Sequence, residues 1–328
     1  MSASDTLANI AILVPGYMNP YAVERISGSF ELLRRERADL SLLTPEERER
    51  VRGIAAMTTI DATLIDGLPN LSIIANYGVG YDKVDARHAA RRNIMVTNTP
   101  EVLTEEVADT TLGLLLNTVR DLARAEAWLR AGHWRVGQPF PMSPLTLRGR
   151  KVGILGMGRI GLAIARRLEG FGVRIAYHNR RPIEGSAYSY FATLLGLAEA
   201  VDTLICVVPG GAATDKIIDA AVLRALGPNG VFINIGRGST VDEAALAAAL
   251  ADGTIAAAGL DVFADEPNVP EPLLELPNAT LLPHVGSASE HARRAMADLC
   301  VDNLLAWFER HETITPVPES TGLARRVT

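Results

Sequence analysis

The sequence predicts an α/β protein on parallel sheets, with two domains, one inserted into the other. Three observations lead there. Short β-rich runs alternate with helical segments almost throughout, the pattern of strands covered by crossover helices. The chain has 328 residues, roughly twice a typical domain. The third is a glycine-rich turn, Gly156–Gly161, which opens a second run of strands midway along the chain.

In the first hundred residues the strand candidates are Ile10–Val14, Leu40–Leu43, Gly53–Met57, Ser72–Asn76 and Ile94–Thr97, with helices expected over Tyr21–Arg37 and Lys83–Arg92. That is enough for one small open sheet. Thr99-Pro100 then starts a long helical pattern reaching about Arg130, since threonine caps helices and proline suits a first turn. The pattern is interrupted by Gly132-His133-Trp134 and by the proline-rich 139–144 segment.

The second sheet reads as Lys151–Leu155, Val173–Tyr177, Thr203–Val208, Val231–Ile235, Ala257–Val262 and Thr280–Leu282. Ala244–Ala251 is ordinary alanine-rich helix. The last helix, about Ser289–Arg310, has no further sheet of its own to cover. Returning it to the first domain is the economical arrangement. The expected boundaries are 1–100 with 288–328 for the smaller domain, and 101–287 for the inserted one.

Hydrophobic residues make up 48% and charged residues 21%, which excludes disordered and fibrous classes. A formal net charge of −6 supplies no global basic field for nucleic acid or anionic lipid. Cys206 and Cys300 lie in apolar runs without metal or redox spacing, so buried, inert thiols and no metal site are expected. The N-terminal segment has no basic leader pattern, and no apolar run approaches a membrane span. A cytoplasmic location is the expectation.

Gly156-Met157-Gly158-Arg159-Ile160-Gly161 is a GxGxxG run between a strand and a helix, the context that makes this motif a dinucleotide site. Its first glycine permits the tight turn, the second the approach of a pyrophosphate, the third close helix–strand packing. The helix N-terminus offers N–H groups to phosphate. At the end of the next strand stands Tyr177-His178-Asn179-Arg180-Arg181, with no acid before Glu184. A carboxylate there would bind the 2′-hydroxyl of NAD, whereas arginine accommodates a 2′-phosphate. Asn179, Arg180 and Arg181 therefore predict NADPH in preference to NADH.

Three polar side chains follow three successive strands: Arg237, Glu266 and His284. In open α/β sheets ligands sit at those carboxyl ends. Arginine can hold a carboxylate or polarise a carbonyl with its planar fork. Histidine can protonate a carbonyl oxygen, and a neighbouring glutamate favours the imidazolium. GxSxG, HExxH, EF-hand and GxxxxGK[ST] patterns are absent from the sequence.

These residues resemble the D-isomer-specific 2-hydroxyacid dehydrogenase family. The likeness runs from Asn76-Tyr77-Gly78-Val79-Gly80-Tyr81-Asp82 to Pro283-His284-Val285-Gly286-Ser287, through Val96–Pro100, Asn234–Gly238 and Leu260–Pro267. It implies a Rossmann domain inserted into a smaller flavodoxin-like substrate domain, and an NADPH-dependent reductase of small 2-oxo acids such as glyoxylate and hydroxypyruvate. Reductases of bulkier substrates such as hydroxyphenylpyruvate are the alternative, with a dinucleotide-sensing corepressor-like protein behind them.

The resemblance implies that Arg237 binds the substrate, His284 is the general acid/base and Glu266 its partner. Backbone N–H groups of Val79 and Gly80 would take the substrate carboxylate, and Ser287 would touch the substrate. Thr104, Arg159, Ile160, Pro209, Thr214 and Asp261 fall at cofactor contacts. Trp134 falls in the loop that, in related dimers, reaches the partner's active site, and the resemblance together with the long helix near Pro100–Arg130 implies a homodimer. The segment Ala55–Thr59 and Tyr77 are expected to line the substrate pocket.

Overall fold

A computed structural model describes residues 7–323. The chain forms two compact units. One comprises the described residues through Leu103 and again from Ser289, and the other is Thr104–Ala288.

The first unit holds five parallel strands, β1 (Ala11–Pro15), β2 (Glu31–Arg35), β3 (Val51–Ala56), β4 (Ile73–Asn76) and β5 (Met95–Thr97), in the order β2-β1-β3-β4-β5. That is the flavodoxin-like order. Strands β1 and β4 are short, largely apolar runs, β4 ending on Asn76, and both are buried along their length, as parallel strands covered on both faces must be. Around them lie α1 (Pro20–Ser29), α2 (Pro45–Arg50), α3 (Ala62–Asp66) and α4 (Ala86–Arg91).

Two segments fold differently from their sequence reading. Tyr21–Arg37 is not one helix: α1 ends at Ser29, Phe30 is extended, and Glu31–Arg35 pairs with β1. Its polar side chains are tolerated because β2 is an edge strand, half-exposed along most of its length. Leu40–Leu43 is not a strand. Leu40–Leu42 makes a single 3-10 turn, and the Asp39 carboxylate accepts the Ser41 N–H at 2.8 Å, a local bond that competes with strand pairing.

The second unit holds seven parallel strands, β6 (Lys151–Leu155), β7 (Arg174–His178), β8 (Ser189–Tyr190), β9 (Thr203–Cys206), β10 (Val231–Asn234), β11 (Ala257–Leu260) and β12 (Ala279–Leu281). Their order is β12-β11-β10-β9-β6-β7-β8, a doubly wound sheet with its switch point between β6 and β9. Its helices are α5 (Thr104–Arg120), α6 (Leu122–Arg130), α7 (Arg159–Glu169), α8 (Leu194–Ala200), α9 (Ala220–Leu226), α10 (Glu243–Ala251) and α11 (Glu271–Leu274).

The helix expected from Thr99 to Arg130 begins at Thr104 and breaks at Asp121, whose φ is +57°. Thr99 caps nothing: its buried hydroxyl has no hydrogen-bond partner among the described residues, and its N–H donates to the Gly78 carbonyl at 2.9 Å. Strand β8 has only two residues, too few to show a period. Helix α5 lies against β11, where a Cβ on Gly259 would stand 2.5 Å from Thr118 Oγ1.

The last helix, α12 (Glu290–Arg310), is capped by Ser289, whose hydroxyl accepts the Ala292 N–H at 3.0 Å. It packs against α1, β3 and β4. No helix among the described residues is long and apolar enough to cross a membrane.

Candidate active site

The carboxyl ends of the seven-stranded sheet carry most of the side chains singled out from sequence. Strand β6 ends at Leu155 and the chain turns through Gly156, at φ +100°, before α7 begins at Arg159. The three glycines divide the labour visibly. A Cβ on Gly156 would sit 2.9 Å from Val208 Cγ1, and one on Gly161 would sit 2.3 Å from the Gly156 carbonyl oxygen. At Gly158 a Cβ would meet nothing within 4 Å. That open side faces away from the fold, beside the first-turn N–H groups of α7, which have no intrahelical acceptor. The cradle fits a dinucleotide's pyrophosphate.

Asn179 bonds the glycine turn in both directions. Its Oδ1 accepts the Met157 N–H at 2.7 Å and its Nδ2 donates to the Met157 carbonyl at 3.4 Å. Arg180 and Arg181 are exposed, and neither has an acidic partner among the described residues. Arg159 is exposed and Ile160 half-buried at the start of α7. After β9, the Thr214 hydroxyl donates to the Pro209 carbonyl at 2.6 Å, joining those two positions in one turn. Thr104 is the first residue of α5.

Arg237 follows β10. The buried Asn234 donates to its carbonyl at 2.9 Å, as does the Thr240 hydroxyl at 2.6 Å, and Arg237 Nη1 donates to the Gly236 carbonyl at 2.8 Å. Gly238 then runs against the next loop, where a Cβ would fall 1.8 Å from the Phe263 carbonyl carbon. Only glycine permits that approach. It seats the Arg237 turn on the turn that carries Glu266.

Glu266 uses both carboxylate oxygens: Oε1 accepts the Phe263 N–H at 3.1 Å, and Oε2 lies 2.8 Å from His284 Nδ1. The His284 side chain is 44% exposed against 26% for Glu266, so the imidazole's Nε2 edge is the one left for a ligand. Glu243, at the start of α10, accepts the Ala264 N–H at 2.9 Å. Burial pushes the Glu243 carboxyl above its ordinary range.

His284 has φ +53°, a left-handed conformation uncommon for a side chain with a Cβ. Asp261, 1% exposed, is what holds it. Its carbonyl accepts the His284 N–H at 2.8 Å, its Oδ1 accepts Val285 N–H at 2.7 Å, and its Oδ2 accepts Gly286 N–H at 2.8 Å. Burial raises the Asp261 carboxyl, partly offset by these two donors. Sequence reading assigned Asp261 to cofactor contact and missed its anchoring of the His284 turn, as it missed Asn234 and Glu243. These links join residues far apart in sequence, or make a turn no spacing rule marks. Ser287 is nearly buried one residue further on.

In the first unit, the loop after β4 has its carbonyls fixed. Asn76 Nδ2 donates to Gly78 and Gly80 at 3.0 Å each, Asn98 Nδ2 donates to Val79 at 2.8 Å, and Thr99 N–H donates to Gly78. The Val79 and Gly80 N–H groups have no acceptor among the described residues. Consecutive unpaired N–H groups form an anion-binding concavity. The pocket reading of Ala55–Thr59 narrows: Ala55 and Ala56 belong to β3 and are wholly buried, whereas Met57 and Thr58 are half-buried and Thr59 is exposed. Tyr77 is also buried, its hydroxyl donating to the Arg293 carbonyl at 2.7 Å.

Trp134 is 66% exposed in the 3-10 turn His133–Val136 after α6. Cys206 and Cys300 are unpaired and buried, and burial pushes the Cys300 thiol up to about 12. Among the described residues no cluster of His, Cys, Asp and Glu is placed to hold a metal ion.

Comparison with known proteins places these features in context. The model for the D-isomer specific 2-hydroxyacid dehydrogenase NAD binding domain matches residues 112–286. A crystal structure of an NADPH-dependent glyoxylate/hydroxypyruvate reductase from Sinorhizobium meliloti, in complex with NADP and malonate, superimposes with a TM-score of 0.95 at 61% identity, over 98% of this chain and 100% of that one. The glyoxylate/hydroxypyruvate reductase A of Arabidopsis thaliana is 42% identical over 95% of this chain and 100% of its own length. Hydroxyphenylpyruvate reductase of Plectranthus scutellarioides is 41% identical over 94% and 99%.

Proposed function

The chain belongs to the D-isomer-specific 2-hydroxyacid dehydrogenase family, and from that premise we propose that it reduces small 2-oxo acids, glyoxylate and hydroxypyruvate, with NADPH. The observation that carries the reading is the 61% identity to an NADPH-dependent glyoxylate/hydroxypyruvate reductase across nearly the whole chain. The Arg237, Glu266 and His284 turns gathered at the carboxyl ends of β10, β11 and β12 accord with it.

When bound, the dihydronicotinamide supplies the hydride that reduces C2. The residues of this chain do the rest. Gly156, Gly158 and Gly161 shape the pyrophosphate cradle, with Thr104, Arg159, Ile160, Pro209, Thr214 and Asp261 as further cofactor contacts. Arg237 holds the substrate's carboxylate and carbonyl oxygen through its fixed fork. His284 donates the proton from Nε2 to the oxygen that becomes the hydroxyl, while Nδ1 stays on Glu266. The Glu266 carboxylate orients the ring through its 2.8 Å bond to Nδ1. Val79, Gly80 and Ser287 are kept as substrate contacts, the first two through their N–H groups.

Arg180 and Arg181 are the proposed 2′-phosphate ligands, because their guanidiniums are exposed and unengaged by acids. Steady-state kinetics should be run with glyoxylate, hydroxypyruvate, pyruvate and 4-hydroxyphenylpyruvate, each with both cofactors. NADPH and the two small substrates are expected to lead. Replacing both arginines with alanine should raise KM for NADPH about tenfold or more, as charge-assisted bonds are lost, and leave KM for NADH nearly unchanged. Preference for NADH in the unaltered chain overturns the cofactor assignment. A dominant 4-hydroxyphenylpyruvate activity favours the bulkier class, and no turnover with any 2-oxo acid favours a sensor.

The arm from 122 to 142 supports a homodimer. Helix α6 buries none of its residues, and Leu122, Leu129, Trp134, Val136 and Met142 are all exposed. Such a run of large apolar side chains on one arm marks an interaction surface. Trp134 then reaches the partner subunit's substrate site. Sedimentation equilibrium should return twice the 35.1 kDa chain mass. A monomer at micromolar concentration rejects the assignment.

A further inference from the structure

The loop between β7 and β8 carries Arg180 and Arg181, and two tyrosines tie it down from beneath. Tyr177, on β7, is 1% exposed, yet its hydroxyl is not idle: it accepts the Ile183 N–H at 2.8 Å. Tyr190, on β8, lies beside it with ring centroids 5.5 Å apart, and its hydroxyl donates to the Asn179 carbonyl at 3.3 Å. Asn179 is itself anchored to the glycine turn through Met157 N–H. The arginine pair therefore stands between a pin at Asn179 and a pin at Ile183. Only Arg180, Arg181 and Pro182 intervene, and proline fixes one more backbone angle.

A buried phenol spent on one loop N–H is chemically specific. Phenylalanine would fill the same space in the core, so the hydroxyl contributes only the tie. Arginine side chains are long, and their fork binds phosphate well only when the backbone beneath is set. A pinned backbone reduces the ordering that binding must otherwise impose.

We infer that Tyr177 and Tyr190 are specificity-positioning residues, which hold the Arg180–Arg181 turn ready for the 2′-phosphate of NADPH and have no part in binding NADH. This rests on the cofactor reading above and deepens it. It separates the two dinucleotides by a group only one of them carries.

The test is a pair of conservative variants, Tyr177→Phe and Tyr190→Phe, assayed with glyoxylate and both cofactors beside the unaltered enzyme and the Arg180→Ala/Arg181→Ala variant. Tyr177→Phe should raise KM for NADPH about fivefold, with KM for NADH and kcat moving less than twofold. Tyr190→Phe should shift the same ratio about twofold to threefold, and it decides the matter if Tyr177→Phe fails to fold. A purely structural role would move both cofactors together, so equal changes, or no change in either variant, overturn the inference. Failure of the cofactor reading is seen separately: the unaltered enzyme then shows no NADPH preference, or the arginine variant loses nothing with NADPH. Selective loss in the arginine variant without selective loss in the tyrosine variants refutes the tyrosine clamp alone.

Discussion

Replacing His284 with alanine is expected to cut kcat about a hundredfold or more while NADPH still binds. General acid catalysis is worth roughly 10²–10⁴-fold. His284 is the imidazole fixed by a carboxylate at 2.8 Å, with its other edge exposed. The glycine turn and the arginine pair lie on other strand ends of the same sheet, so cofactor affinity should survive. Because His284 has φ +53°, His284→Asn is the better-behaved companion, since asparagine tolerates that conformation. Fluorescence titration with NADPH and single-turnover kinetics separate the two effects. Near-normal turnover in either variant rejects His284 as the acid.

Asp261→Asn should also be damaging, though less so and for a different reason. The two carboxylate oxygens accept two backbone N–H groups, from Val285 and Gly286. Asparagine offers one acceptor oxygen and turns an NH₂ toward the second donor. A buried donor left unpaired costs about 1–3 kcal/mol. That loss falls on the turn that sets His284, so kcat should drop about tenfold or more together with Tm. Full activity and an unchanged Tm would show that the turn holds without the carboxylate.

The same residue has a pH signature. Burial raises its carboxyl above the ordinary range, so the folded chain binds that proton more tightly than the unfolded one. Its contribution to stability is therefore largest in acid and declines as pH rises through the ordinary carboxylate range toward the raised value. Tm measured against pH should lose that component of its slope in Asp261→Asn.

The strands were legible wherever burial on both faces made them short apolar runs. Lys151–Leu155 reads identically in sequence and structure, and Val231–Asn234 and Ala257–Leu260 differ only at their ends. The misreadings cluster where neighbours decide. Glu31–Arg35 has helical composition and becomes a strand because β1 offers it an edge. Ser189–Tyr190 is a strand only because Tyr177 pairs with Tyr190. Asp121 breaks the long helix by adopting a positive φ that no residue type there announces.

By itself the sequence determined the α/β class, the dinucleotide turn, the absence of an acid before Arg180-Arg181, and the presence of Arg237, Glu266 and His284 after three strands. Each follows from local spacing, because a strand's end and a glycine's freedom are properties of a few consecutive residues. Only the tertiary structure decided what sets those groups in place. The His284–Glu266 bond, the Gly238 approach to Phe263, the Asp261 hold on Val285 and Gly286, and the Tyr177 tie to Ile183 are all contacts made across turns. A hydrogen bond needs about 2.7–3.2 Å and the right angle, and only the folded backbone supplies both.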